Sequence, residues 1–322
     1  MNVSKLMCRL AVLFLLVASV VGCTGVKGQY YLGMEEYDQG QKNFEQAIAE
    51  NPNDAMAQYY LGRMLLAQEK PEAALPHLEK AVSIDPRDAD YHFWLGINYW
   101  AVMDYKNERK QYLKAVELNP RATYAHLYLG HNYLDKNEWK KAYDQYQIVL
   151  RKDEYDPEAL YNTAIALHGM QRYKREHKAL LRYLKYYPDG HTALKAVSSL
   201  NALGDFSWRN FYIGKRRVSF IGVQFEKDTA KIKTDSTASL KLLGAMLKNS
   251  PDLSVNIVAN VKGKKSLAKA RAFAVRNYIV KYVPDVETKQ LPMSWFGQSE
   301  KVRYGKKIKY LPESVRFITK VK

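Results

Sequence analysis

Apolar residues along this chain follow three different rhythms. Near the start, Leu10 to Val17 form one continuous apolar run preceded by Lys5 and Arg9. The run is well short of the roughly 20 residues a membrane-spanning helix needs, and it reads as an export signal. Further on, Leu61-Gly62, Leu95-Gly96 and Leu129-Gly130 recur 34 residues apart, and Pro86 with Pro120 and Ala81 with Ala115 keep that spacing. After Gly204 the rhythm changes again. GDFSWRNFYIGK has no clean period and reads as a connector, while Ile221, Val223 and Phe225 alternate as a strand does. TDSTASLKLLGAMLKNSPD has a Ser/Thr/Asp start, an apolar helical stripe and an Asn-Ser-Pro stop, which predicts a capped helix. Leu253, Val255, Ile257, Ala259 and Val261 then alternate with Ser254, Asn256, Val258 and Asn260 as a half-buried strand. A helix over 266–282 and strands at 293–296 and 314–321 complete the order βαβαββ, a small α/β sandwich.

A period of 34 with this Leu-Gly signature resembles the tetratricopeptide repeat, a helix–turn–helix unit that stacks into a superhelix. The resemblance covers residues 23–203, with full repeats at 55–88, 89–122, 123–156 and 157–190. Two of these are imperfect: Thr163-Ala164 replaces Leu-Gly, and Glu154 stands where proline is expected. A partial repeat, YYLGMEEYDQGQKNFEQAIAENPND, precedes them, and HTALKAVSSLNAL resembles a terminal capping helix. The predicted fold is therefore two-domain, an all-α solenoid followed by a small α/β sandwich. Its divisions are 1–22 signal peptide, 23–204 repeat array, 205–216 connector and 217–322 sandwich.

Such arrays bind partners on a concave face lined by the fifth, ninth and twelfth positions of each first helix. Here those positions are Tyr59, Arg63, Leu66, Phe93, Ile97, Trp100, Leu127, His131, Leu134, Tyr161, Ile165 and His168. An apolar, aromatic groove suits an extended or helical peptide. The competing reading is that several of these residues pack between repeats. His92 and His126 stand where a packing Trp is usual, and no histidine pair has metal-ligand spacing.

Charge divides the chain. The sequence carries a net +17. Residues 23–204 hold 23 Lys and Arg against 24 Asp and Glu, whereas 205–322 hold 25 against 9. The two parts are expected to meet different partners. Within the basic part, "FEKDTAKIKTDSTASL", "LAKARAFAVRNYIV" and "GQSE" resemble passages of the OmpA-like (outer membrane protein A-like) domain. In that family an Asp holds the ammonium of peptidoglycan diaminopimelate and an Arg holds its carboxylate. Arg271 matches the arginine, Val261 falls on the aspartate position beside Asn260, and Glu313-Ser314-Val315 replaces an expected Asn-Arg-Arg.

On a helical wheel Arg271 lies in the middle of an apolar stripe with Leu267, Ala274, Val275, Tyr278 and Tyr282. A guanidinium there is costly unless it is paired or faces a ligand. It either snorkels outward, meets an internal carboxylate such as Asp228 or Asp235, or faces an anion. Lys262, Lys264 and Lys265 surround the start of the same helix, whose free N–H groups favour anions. Arg271, Lys262, Lys264 and Lys265 are thus the candidate peptidoglycan or anion site.

Val20-Val21-Gly22-Cys23 resembles the lipobox of bacterial lipoproteins, which implies cleavage before Cys23 and acylation of that residue. Cys8 leaves with the signal, so no disulfide framework is expected. Thr24 rather than Asp after the cysteine implies the outer membrane, facing the periplasm. That compartment removes nucleic acid from the partner list. No Ser/His/Asp, Cys/His, phosphate-loop or metal pattern points to an enzyme, and no cofactor or metal is expected. The leading expectation is a lipid-anchored periplasmic scaffold in envelope assembly or secretion, its repeats holding a protein or peptide and its last domain touching peptidoglycan. The alternative keeps the scaffold and gives the last domain to protein docking alone.

Overall fold

Residues 24–319 are described by the computed structural model, so the apolar run and Cys23 lie outside the described residues. The described residues separate into two compact units that divide between Glu154 and Tyr155.

In the first unit the described residues form α1 (24–33), α2 (Tyr37–Glu50), α3 (Ala55–Ala67), α4 (Pro71–Ile84), α5 (Ala89–Ala101), α6 (Tyr105–Leu118), α7 (Thr123–Asp135) and α8 (Trp139–Lys152). α3 packs against α4, α5 against α6 and α7 against α8. The recurring glycine explains the closeness of these pairs. A Cβ on Gly62 would stand 2.5 Å from Leu78 Cγ, and one on Gly96 or Gly130 would stand 2.4 or 2.6 Å from Cε1 of Tyr112 or Tyr146. The Leu-Gly signature therefore exists because the partner helix drives a large side chain against the bare backbone. Between helices of a pair the chain reverses through one left-handed residue: Glu35, Glu69, Met103 and Asn137 have φ of 58–61°.

Polar residues recur at the same period. The Asp54 and Asp88 carboxylates accept from the first-turn N–H groups of α3 and α5, each such cap contributing about 1 kcal/mol. Buried His92 lies with Nε2 3.1 Å from Pro86 O and Nδ1 2.6 Å from the Gln111 side-chain amide. His126 repeats this with Pro120 and Gln145. One repeat earlier the residues are exchanged, Gln58 reaching Pro52 O while His77 faces the Gln58 amide. These histidines clamp the turn between repeats.

The second unit opens with three helices, α9 (Pro157–Gly169), α10 (Tyr173–Tyr186) and α11 (Gly190–Ala202). Ala164 takes the glycine position here, and the opposing position holds Leu180, as α4 holds Leu78 opposite Gly62. Next come β1 (Trp208–Ile213), β2 (Arg216–Ile221), α12 (Thr237–Lys248), β3 (Val255–Val261), α13 (Lys265–Tyr282), β4 (Met293–Phe296), β5 (Glu300–Tyr304), β6 (Lys307–Leu311) and β7 (Glu313–Thr319). Central β3 pairs in parallel with β4 and antiparallel with β7, while β1–β2 and β5–β6 are separate antiparallel hairpins. Ile257, Ala259, Val261, Val315 and Phe317 share a core with Leu240, Leu243 and Leu247 of α12 and Ala272, Val275 and Ile279 of α13.

Strand content exceeds the βαβαββ expectation, and the expected connector is itself a strand. WRNFYI hides its period because both faces are used: Phe211 and Ile213 enter the core, while Asn210 on the other face donates to Leu194 O of α11. β2 ends at Ile221, whereas the alternation of Ile221, Val223 and Phe225 predicts a strand, and Phe225 makes only an isolated bridge with Ile232. β5–β6, joined by Gly305 at φ 55°, escaped the pattern: Lys307–Tyr310 are exposed, and Ile308 and Tyr310 alternate with lysines without entering a core.

Candidate functional site

The predicted groove residues of the first unit divide by burial. Tyr59 and Phe93 are each 6% exposed. Phe93 lies against the rings of Trp94, Tyr112, Tyr124 and Tyr128, with centroids 4.6–5.8 Å away. Tyr59 packs on Tyr60 and Tyr91, and burial pushes its hydroxyl pKa far up. Both belong to the packing between helices. Arg63 is partly exposed, donates to Tyr59 Oη at 3.1 Å and places its guanidinium 4.1 Å from the Trp94 ring centroid. Ile97, Leu127 and His131 are half-buried, His131 lying beside the rings of Tyr128 and Tyr146. Tyr161, in the second unit, is half-buried against Tyr183.

Trp100 is different, with 55% of its surface exposed. It borders a pocket of about 430 Å³ with Leu66, Pro71, Met103 and Tyr105. Met103 is 72% exposed and Tyr105 is 38% exposed. Sequence reasoning missed both, although a signal existed. Met103 occupies the left-handed turn position at which other repeats carry Glu35, Glu69, Asn137 or Gln171. An exposed thioether there, beside an exposed indole, leaves apolar surface with no core to enter.

In the second unit Arg271 is buried, 2% exposed, and the internal-carboxylate reading describes its contacts. The partner is Glu313 of β7 rather than Asp228 or Asp235: Nη1 donates to Glu313 Oε2 at 2.7 Å and Nε donates to Thr229 O at 2.8 Å. The Phe225 ring lies under the guanidinium at 4.6 Å. Glu313 remains half exposed. Asp228 instead accepts from Lys264, which holds its carboxyl below the usual range.

Lys262, Lys264 and Lys265 are exposed around the start of α13, where no side chain caps the helix. Val261 is buried in the core, and strand alternation turns Asn260 to the opposite face. There Asn260 Nδ2 donates to Gln298 O, so the structure does not bring Asn260 and Arg271 together.

Among the described residues no group of three or more His, Cys, Asp or Glu could hold a metal ion. Among them, too, no helix is long and apolar enough to cross a membrane.

The sequence model of the tetratricopeptide repeat matches residues 26–89, 65–124 and 127–191. PilF of Pseudomonas aeruginosa is similar in structure over 58% of this chain and 85% of its own, at 18% identity and a TM-score of 0.52. YrrB, described as having an unusual peptide-binding site, aligns over 52% of this chain and 87% of its own, at 21% identity and 0.48. MamA aligns over 52% and 92%, at 18% identity and 0.47. At these identities the likeness is one of fold alone. No curated protein matches the chain.

Proposed function

The chain belongs to the tetratricopeptide repeat family, and from that premise we propose that it is a lipid-anchored scaffold of the bacterial envelope. Tetratricopeptide-repeat proteins are protein–protein interaction scaffolds and for the most part not enzymes. The observation that carries the partner-binding role is the exposed Trp100, Met103 and Tyr105 around one apolar pocket. Large aromatic side chains with a preformed pocket are what a binding hot spot requires. Affinity capture with the intact chain tests this. Trp100→Ala with Met103→Ala should remove a partner set that survives Leu113→Ala, an exposed apolar control on α6. Survival of the whole set in the double variant contradicts the reading.

Val20-Val21-Gly22-Cys23 supports lipidation at Cys23, and Thr24 supports an outer-membrane, periplasm-facing location. Labelled palmitate should enter the chain and be lost in Cys23→Ser. The passages quoted for residues 217–322 support a divergent OmpA-like domain. For that domain, Arg271 with Lys262, Lys264 and Lys265 is the proposed contact with peptidoglycan.

A second reading, protein docking without wall binding, is favoured by Glu313. Its carboxylate already sits on the Arg271 guanidinium, the group to which the OmpA-like resemblance assigns a wall carboxylate. If wall binding persists by displacement, Glu313→Ala should increase retention of the full chain on purified sacculi. No retention of either form leaves docking as the domain's role.

A further inference from the structure

We infer that the second unit carries a separate binding site for a phosphate ester, between α11, β1, β2, β5 and β7. A cavity of about 530 Å³ opens there, lined by five cationic residues, Arg209, Arg217, Lys301, Arg303 and Arg316, and one carboxylate, Glu300. That carboxylate is consumed internally. Its side chain is 2% exposed, and both oxygens accept from Arg209, at 2.8 and 2.9 Å. The fork fixes Arg209 at the cavity wall and neutralises it, leaving an uncompensated excess of cations around the rest.

Arg316 is the residue this excess leaves short of partners. Its Nη1 stands 3.7 Å from Glu300 Oε1, beyond hydrogen-bond length, and its Nε is buried without a partner. The side chain is 37% exposed, so its outer nitrogens remain open to an oxyanion entering the cavity. Val315 and Phe317 face the core, so alternation along β7 places Arg316 on the opposite face of the sheet from Arg271 and α13. This site is therefore distinct from the basic start of α13.

The charge decides the ligand class. A single carboxylate would leave most of these donors unmatched, whereas a phosphate oxyanion with two charges and several acceptors suits arginine forks arriving from different strands. The volume lies within the about 300–1,000 Å³ typical of small-molecule sites and leaves room for the group the phosphate esterifies. Phe206 and Tyr304, edge to face at 5.7 Å, form an aromatic wall for that group.

Calorimetric titration of the full chain with inorganic pyrophosphate at low salt tests the site. Saturable binding is expected, weakened on the order of tenfold in Arg217→Gln/Arg316→Gln through loss of charged hydrogen bonds. The same affinity is expected in Lys262→Gln/Lys264→Gln/Lys265→Gln, which removes more charge from a different surface. Absence of saturable binding, or equal weakening by the lysine variant, overturns the proposal. Should the double variant fail to fold by circular dichroism, Arg217→Gln alone replaces it, because that side chain is exposed. A severalfold loss is then expected, and unchanged affinity overturns the site.

Phosphatidylcholine vesicles with and without phosphatidic acid distinguish the sources. Retention only with phosphatidic acid, reversed by pyrophosphate, assigns a lipid headgroup. Pyrophosphate binding without vesicle retention assigns a soluble phosphate ester. Retention that pyrophosphate does not reverse and that survives in Arg217→Gln/Arg316→Gln contradicts the site.

Discussion

Gly96 shows how much a single position can carry. A Cβ there would stand 2.4 Å from Tyr112 Cε1, so Gly96→Ala should destabilise the repeats by about 1–3 kcal/mol in urea unfolding. Unchanged stability would mean that packing at this site does not set the signature. Glu300 makes a second residue-scale case. Burial raises its pKa, but the Arg209 fork, Ser314 and the Arg316 charge together outweigh burial and hold it below the ordinary 4.5. A depressed carboxyl stabilises the fold above its unfolded pKa and loses that contribution as pH falls through the folded value. Glu300→Gln should thus cost about 3 kcal/mol at neutral pH and flatten the acid limb of stability below about pH 4. An acid limb unchanged by the substitution would show that other carboxylates set it. The sequence offered no hint of this pair, because Arg209 and Glu300 lie 91 residues apart. It placed Arg271 in an apolar stripe but could not show that Glu313, 42 residues away, meets it.

Repeat helices were legible as elements because the same packing problem is solved every 34 residues, leaving glycine, leucine and aspartate marks at fixed intervals. β3, β4 and α13 were legible because one face of each enters the core. β1 and the β5–β6 hairpin were not, since β1 uses both faces and β6 is largely solvated. The left-handed turns predict a stability gain at this scale. Gln171 has φ of 58°, which costs a non-glycine residue roughly 1 kcal/mol. Gln171→Gly should raise the thermal midpoint, with a gain of about 0.5–1 kcal/mol. A lowered midpoint would show that the side chain contributes more than the strained backbone costs.

Across the whole molecule, charge and apolar exposure point to different work in different places. Residues 205–322 carry 25 basic against 9 acidic side chains, and the Trp100 pocket offers apolar surface with little charge. Composition revealed the first of these, whereas the second required the turn geometry that exposes Met103. The partner-binding claim is tested most directly by photocrosslinking, with a photoreactive amino acid placed in turn at Trp100, Met103 and the exposed control Leu113. The account predicts that positions 100 and 103 capture the same partner and that position 113 does not. Equal capture from all three, or none from 100 and 103, would contradict it.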